Sequence, residues 1–282
     1  MHKLLKEVEI KVDGCVDFIS DLHLQPSEIK SFEAWSDYMS STPASVLFIL
    51  GDFFEVWAGD DFLESSHADF ENRCIKVLKE QSKRMSIYFM AGNRDFLIKD
   101  SALEASNMKA LEDPCLLSAQ GETFVLSHGD AMCLSDVDYL KFREMVRNPI
   151  WQTQFLSKPL EERLAIAKAM RIKSEEEKAK YRKAFEASKS TTQDVKSQKT
   201  NAAADSLMGL HDVDYEFANS VLDTFNCETL IHGHTHRPGE YSLSKNRKRV
   251  VLSDWDAYAQ PKRLEILRLQ DGHLKRHQLV QH

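Results

Sequence analysis

Seven candidate metal ligands, Asp21, His23, Asp52, Asn93, His128, His234 and His236, recur in five short patterns: Asp21-x-His23, Gly51-Asp52, Gly92-Asn93, His128-Gly129-Asp130 and His234-x-His236. They offer imidazoles, two carboxylates and one amide oxygen. That is too many donors for one ion and suits two, with a carboxylate such as Asp52 able to bridge them. Mixed nitrogen and oxygen donors without thiolate favour manganese, iron or zinc in a reactive site over a structural zinc cage. A lone Asp-x-His or His-x-His is a common capped turn, and a lone Gly-Asn is a common turn. The weight lies in all five occurring in this order. In an extended segment, residues two apart share a face, so Asp21 with His23 and His234 with His236 are expected to act as pairs from strand-like tips.

Each pattern closes a short apolar run. "VDFIS" leads into Asp21, "VLFIL" into Gly51-Asp52, "SIYFM" toward Gly92-Asn93, "TFVLS" into His128, and "ETLI" into His232 to His236. Runs of about five Val-, Ile- and Phe-rich residues ending in glycine read as buried strands. Helix-like stretches at about 27–39 and 65–84 separate the first of them, which implies an α/β layered fold. Ligands in such sheets sit at the carboxyl ends of the strands, where the five polar tips fall. The last stretch differs: "RVVLSDW" and "RLEILRLQDGHLKRHQLV" read as strands, the latter turning at Asp271-Gly272.

Composition excludes several classes. The 282 residues carry a net charge of -7 with 42% hydrophobic and 29% charged residues, as expected of an ordinary globular chain and not of a general nucleic-acid binder. The start, "MHKLLKEVEI", lacks a signal-peptide apolar core, and runs such as "SVLFIL" are too short to span a bilayer. Five scattered cysteines without a CxxC suggest buried thiols in a reduced compartment. Between 158 and 200, 12 Lys and Arg face 7 Asp and Glu, a surplus of +5 that leaves -12 on the rest of the chain. Such a run is commonly a solvated helix face; the other reading is an inserted basic cap over an anionic substrate.

The order Asp-x-His, Gly-Asp, Gly-Asn, His, Gly-His-x-His resembles the calcineurin-like metallophosphoesterases. The resemblance implies a four-layer α/β/β/α sandwich of two facing sheets, with two metals at the strand ends. Carried over, Asp21, His23, Asp52 and His236 would hold one metal, and Asp52, Asn93, His128 and His234 the other. Longer stretches, "SDLHL", "ILGDFFEVWAGDD", "GNRDFL", "SHGDAMCLSDVDY" and "IHGHTHRP", resemble one subfamily, the UDP-2,3-diacylglucosamine diphosphatases of lipid A biosynthesis. They cover roughly 16–145 and 205–256. This likeness implies hydrolysis of UDP-2,3-diacylglucosamine to UMP and 2,3-diacylglucosamine 1-phosphate (lipid X) by a two-metal-activated water, with two Mn2+ per chain. It also implies a monomer at the cytoplasmic face of the inner membrane, with a core of 1–134 and 205–282 and an inserted helical cap of 135–204 over the lipid.

Arg94 stands where most relatives of the wider class carry a histidine thought to protonate the leaving group. Arginine cannot supply that proton. A phosphate leaving group needs its charge matched instead, and a guanidinium forks onto phosphate. Arg94 and Asn93 are therefore the expected catalytic pair, and both also contact substrate, as does His234. The bland alternative is a surface Arg94 paired with Asp95 or a neighbour. Asp136 matches a position that contacts the glucosamine hydroxyls, and it equally suits a helix N-cap. Asp60 and Asp61 are read as supporting residues, and His232 as lying behind the ligands.

The middle departs from the subfamily. "MRIKSEEEKAKYRK" keeps Ser174, but Lys178 stands where an asparagine is expected, and the lysine counterpart is Lys178, Lys196 or Lys199. Asp256 follows Trp255 where relatives often carry histidine. "NPIWQTQFL" and "PLEERLAIAKAM" suit an acyl groove or a membrane seat, although Leu160, Leu164, Ala167 and Ile172 at near-helical spacing are also ordinary cap core. The runner-up functions are a soluble phosphodiesterase or nucleotide pyrophosphatase of the same fold and a non-catalytic scaffold, against which the complete donor set argues.

Overall fold

A ladder of aromatic rings sets the register of the central strands. The computed structural model describes residues 4–11, 14–172 and 212–279. In it β1 is Leu5–Ile10, β2 Val16–Ile19, β3 Val46–Leu50, β4 Ser86–Met90, β5 Lys109–Ala119 and β6 Glu122–Ser127. After these come β7 Thr229–His232, β8 Gly239–Ser242, β9 Lys248–Val251, β10 Glu265–Gln270 and β11 His273–Gln278. Phe18 of β2 lies opposite Phe48 of β3, and Phe48 opposite Tyr88 of β4, in parallel pairing. Their rings stack at 5.4 Å and 4.9 Å. A one-residue slip would turn all three away from the core, so the ladder keeps the three strand tips level.

The strands run β11-β10-β2-β3-β4-β5-β6-β7-β9-β8, with β1 paired to β5. The two expected sheets are thus one continuous, curled sheet. Strand β5 carries it round the corner: its residues 109–111 pair with β4, and its residues 115–119 pair with β6. Pro114, which has no N–H to give a ladder, lies between the two segments. Phe18, Phe48, Tyr88 and Leu111 from one arm and Leu117, Leu126, Ile231 and Val250 from the other form a single buried cluster. The arms therefore face each other across a core. The β10–β11 hairpin turns at Asp271 and Gly272, both at positive φ (52° and 72°), as a tight hairpin turn requires.

Helices α1 (Ile29–Ser41) and α2 (Asp69–Gln81) occupy the intervals expected from sequence, with ends shifted by two to four residues, and a short α3 (Asp100–Ser106) follows β4. Phe32 of α1 meets Phe70 of α2 at 5.4 Å, and Trp35 packs on Phe53 at 5.0 Å. Beneath α1 lies a buried ion pair. Arg268 donates to both oxygens of Asp17 at 2.7 and 2.8 Å, and Tyr38 and Thr42 donate to the same carboxylate.

The chain divides into two compact units, one of Met1–Asp130 with Tyr215–His282 and one of Ala131–Asp214. In the second, α4 is Val137–Arg147 and α5 is Pro149–Leu156. Asn148 ends α4 and caps α5 by accepting from Ile150 N–H at 2.8 Å, with Pro149 at the first helical position. A further helical stretch covers 160–172. Phe155 is buried and stacks on Trp151, whereas Ile150 and Ile172 are exposed. Leu160, Leu164 and Ala167 are half-buried. Ser174, Lys178, Lys196 and Lys199 lie outside the described residues.

Candidate metal centre

The strand tips do not continue as extended chain. Asp21, His23, Asp52, His234 and His236 all have positive φ, between 48° and 66°. Non-glycine residues adopt this left-handed backbone rarely and at a cost. This corrects the strand-face expectation: Asp21 and His23 converge because left-handed turns flank buried Leu22, not because strand pleating continues past β2. Backbone bonds hold the turns in place. Asp21 N–H donates to Gly51 C=O and His23 N–H to Asp52 C=O, each at 3.0 Å, so the tips of β2 and β3 are zipped together. Gly233 N–H donates to His128 C=O at 3.0 Å, which does the same for the tips of β6 and β7.

Seven expected ligands come together in two groups. Asp21, His23 and His236 form one trio of close donor atoms, and Asp21, Asp52 and His128 a second. Asp21 belongs to both trios, and Asp52 reaches a histidine of each, with Oδ2 4.0 Å from His23 Nε2 and Oδ1 3.7 Å from His128 Nε2. Asn93 Oδ1 lies 3.0 Å from His128 Nε2 and 2.9 Å from His234 Nδ1.

The donor chemistry fits cations. Asp21 is fully buried, yet its Oδ1 has no hydrogen-bond partner among the described residues. It faces His236 Nε2 at 3.3 Å and His23 Nε2 at 3.9 Å instead. His23 Nδ1 is 2.6 Å from the Glu55 carboxylate, so Nδ1 carries a hydrogen, and in the neutral ring Nε2 is the nitrogen whose lone pair faces inward. Nε2 lies 3.3 Å from His236 Nε2. Two inward-facing imidazole nitrogens beside a buried, unbonded carboxylate oxygen form a cradle for positive charge.

Two glycines keep the cradle open. A Cβ on Gly92 would lie 2.1 Å from Asp52 Oδ1, and one on Gly233 would lie 2.3 Å from Asp21 Oδ2. The glycine before Asn93 and the one before His234 are therefore steric requirements of the carboxylates they cover.

Protonation follows the same charges. Burial pushes the Asp21 carboxyl up, but His236, His128 and His23 outweigh it and hold it well below the usual carboxylate range. Burial pushes His128 down, yet Asp52, Asp130 and Asp21 raise it to about 9. Burial and the neighbouring His128 lower His234 to about 3. Asp95 is pushed up to about 7 by burial and by Asp52. Its oxygens accept from Gly92 N–H at 2.8 Å and Phe53 N–H at 2.7 Å, which joins the Gly-Asn turn to the Gly-Asp turn. Of the bland alternative for Arg94, the pairing with Asp95 is not found, since Asp95 is fully buried and bonds main chain, but a pairing with another carboxylate, Glu55, is present at 3.7 Å.

Arg94 sits beside the candidate ligands. Its N–H donates to Asp52 Oδ1 at 2.8 Å, and its guanidinium NH1 lies 3.7 Å from Glu55 Oε1. Asp136 caps α4, accepting from Tyr139 N–H at 3.1 Å. Asp60 accepts from Trp57 Nε1 and from the N–H groups of Lys99 and Ala102, and so ties the turn of 60–64 to the helix of 100–106. His232 is buried, with Nδ1 against Gly233 C=O at 2.9 Å and Nε2 3.5 Å from Arg249. Asp256 bonds Arg263 at 3.0 Å and caps its own turn at Tyr258 and Ala259, a structural task where relatives often carry histidine.

Sequence reading missed two carboxylates. Glu55 backs His23, and Asp254 lies 3.6 Å from His236 Nδ1 while held by Arg263. Each lies outside the ligand patterns, 32 and 18 positions along the chain from the ring it supports, and no local spacing marks either one.

A profile of the calcineurin-like phosphoesterases matches residues 16–238. A UDP-2,3-diacylglucosamine hydrolase of Chromohalobacter salexigens is 37% identical over 84% of this chain and 87% of its own. Proteins of the same name from Stenotrophomonas maltophilia and Chromobacterium violaceum are 36% and 35% identical, over 84% and 85% of this chain and 90% of each of theirs.

Proposed function

The chain belongs to the calcineurin-like phosphoesterases and, within them, to the UDP-2,3-diacylglucosamine hydrolases, and from that membership we propose that it hydrolyses the diphosphate bond of UDP-2,3-diacylglucosamine. The products are UMP and 2,3-diacylglucosamine 1-phosphate, and the step belongs to lipid A biosynthesis. The chain is a metal-dependent hydrolase. The observation that carries the substrate reading is Arg94, a group that cannot donate a proton, beside a paired donor set that fits divalent ions.

Two Mn2+ ions are the proposed cofactors, with Asp21, His23, Asp52 and His236 holding one and Asp52, Asn93, His128 and His234 the other. Divalent ions bound there acidify water and neutralise phosphate oxygens. The remaining tasks fall to the chain. The zipped turns fix the carboxylates before substrate arrives, so no reorganisation is needed during reaction. Glu55 sets the His23 tautomer that turns Nε2 inward. The Arg94 guanidinium binds the diphosphate and matches the charge that grows on the leaving phosphate. Asp136 is assigned to the sugar hydroxyls on the subfamily likeness. A diacylated substrate resides in a membrane, which supports peripheral attachment; the cytoplasmic face of the inner membrane and a monomeric state are assigned on the subfamily likeness. No described helix is long and apolar enough to cross one.

The test is a Mn2+-dependent assay on UDP-2,3-diacylglucosamine, UDP-glucosamine and bis-nucleoside polyphosphates, with Asn93→Ala as the control. The reading expects turnover concentrated on the diacylated sugar and lost in the control. Equal turnover on the unacylated substrates would point to a soluble pyrophosphatase. Substoichiometric metal with no turnover on any of them would point to a scaffold.

A further inference from the structure

One carboxylate serves two loops of the centre. Glu55 is largely buried, and its main chain is pinned to the Asp21–His23 turn, with its N–H donating to Leu24 C=O at 3.2 Å. Its two oxygens address different partners. Oε2 meets His23 Nδ1 at 2.6 Å, and Oε1 faces Arg94 NH1 at 3.7 Å. His23 belongs to the β2 tip and Arg94 to the turn after β4, so nothing in the local sequence of either loop fixes one against the other.

We propose that Glu55 is a positioning residue that couples the metal ligand His23 to the substrate-binding Arg94. The proposal rests on the diphosphatase reading for the role of Arg94. Through Oε2, Glu55 makes the His23 ring more basic and fixes its tautomer, as a carboxylate behind a ligating histidine does. Through Oε1 it draws the guanidinium to the same side of the site, so that a bound phosphate meets the metal cluster and the arginine in one register. A displaced His23 ring moves Glu55, and with it the counter-charge that holds Arg94. Glu55→Gln keeps the shape but removes the charge. Its amide can still accept from His23, yet its NH2 then confronts the guanidinium.

The test compares wild type, Glu55→Gln, Arg94→Ala and the double variant. Calorimetric titration with Mn2+ alone, without substrate, reads the His23 arm. Glu55→Gln should weaken one binding event about 10- to 100-fold, the range seen when such outer carboxylates are removed, while Arg94→Ala leaves Mn2+ affinity unchanged. At saturating Mn2+, kcat on UDP-2,3-diacylglucosamine reads the Arg94 arm. Glu55→Gln should lower it in the wild-type background and much less in the Arg94→Ala background. Wild-type Mn2+ affinity in Glu55→Gln, or independent multiplying losses in the double variant, would overturn the proposal, as a merely structural role gives both. If wild type binds Mn2+ but does not turn over the diacylated substrate, the function reading fails. The Mn2+ titration still decides whether Glu55 positions His23.

Discussion

Arg94 grips Asp52 through its main chain, not its side chain: its N–H lies 2.8 Å from Asp52 Oδ1, while its guanidinium points toward Glu55. The bond that orients the shared carboxylate therefore survives any substitution except proline. The guanidinium, which faces Glu55, is the part assigned to substrate. Structure and chemistry are divided within one residue, which makes the role of the guanidinium separable by mutation.

Arg94→Ala should fold normally, keep its metal and lose catalysis. Removing one preorganised group that stabilises transition-state charge lowers kcat by about 10²- to 10³-fold. Lysine supplies a point charge without the fork, so Arg94→Lys should fall between the two. Steady-state kinetics on the diacylated UDP-sugar, with metal analysis of the same samples, checks this. Near-normal turnover in Arg94→Ala would remove the guanidinium from the mechanism.

Gly92→Ala should damage the centre without replacing a proposed ligand. The added Cβ would press on Asp52 Oδ1 and on the Asp52 main chain, at 2.1 and 2.3 Å. Contacts this close force the carboxylate or the turn to move. Metal affinity should fall by at least the roughly 10-fold typical of disturbed outer positions, with the far-ultraviolet spectrum unchanged. Titration with Mn2+ reads the outcome, and wild-type affinity would mean that the turn yields without consequence.

These predictions start from residues legible in the sequence, because each candidate ligand follows an apolar run, and glycine marks the close approaches at Asp52 and Asp21. The tips of β2, β3, β4, β6 and β7 were readable for that reason. Strand β5 was not. Its sequence, "KALEDPCLLSA", mixes charges and a proline into a segment that pairs with three neighbours in turn. It has no apolar run, since only part of each segment faces the core. The left-handed backbone of the ligands was also hidden. Asp and His adopt positive φ at a cost, and here the bonds that hold it come from strands far away in the chain. Glu55 and Asp254 escaped for the same reason. A charged residue near a turn is unremarkable until the fold sets a histidine ring beside it.

The Asp17–Arg268 pair carries stability, not chemistry. Asp17 is fully buried and receives hydrogen bonds from Arg268, Tyr38 and Thr42. Burial and Asp17 together push the Tyr38 hydroxyl well above its usual range, so it stays a donor. Asp17→Ala would leave the guanidinium without its carboxylate and should cost about 3–5 kcal/mol of folding stability. Denaturant unfolding measures this. The Mn2+ affinity of the folded fraction should not change, because the pair lies at the far end of β2 from Asp21. A loss below about 1 kcal/mol would mean that water replaces the carboxylate.

Metal uptake should expel a proton from His128 and so depend on pH. Its Nδ1 faces Leu50 C=O at 2.9 Å, which leaves Nε2 to face Asn93 and, with metal, to act as the ligand. Burial disfavours the charged ring, but Asp52, Asp130 and Asp21 hold it at about 9, so without metal Nε2 is protonated at neutral pH. A ligating nitrogen must be bare. Affinity should therefore rise with pH by up to about 10-fold per unit for one proton displaced, and level off above about 9. His23, where Glu55 and Asp52 outweigh burial, is raised as well and adds a slope of the same sign. His234, held down at about 3, is already neutral and adds none. The metal-free fold has the opposite dependence. The raised His128 stabilises it fully below 6.5, and that contribution is lost as pH rises through about 9. Chelated protein should thus lose thermal stability across this window, while metal-loaded protein holds it and the gap between them widens. Titrations in two buffers of different ionisation enthalpy count the protons released, and a flat affinity across the window would show that no proton leaves His128 on metal uptake.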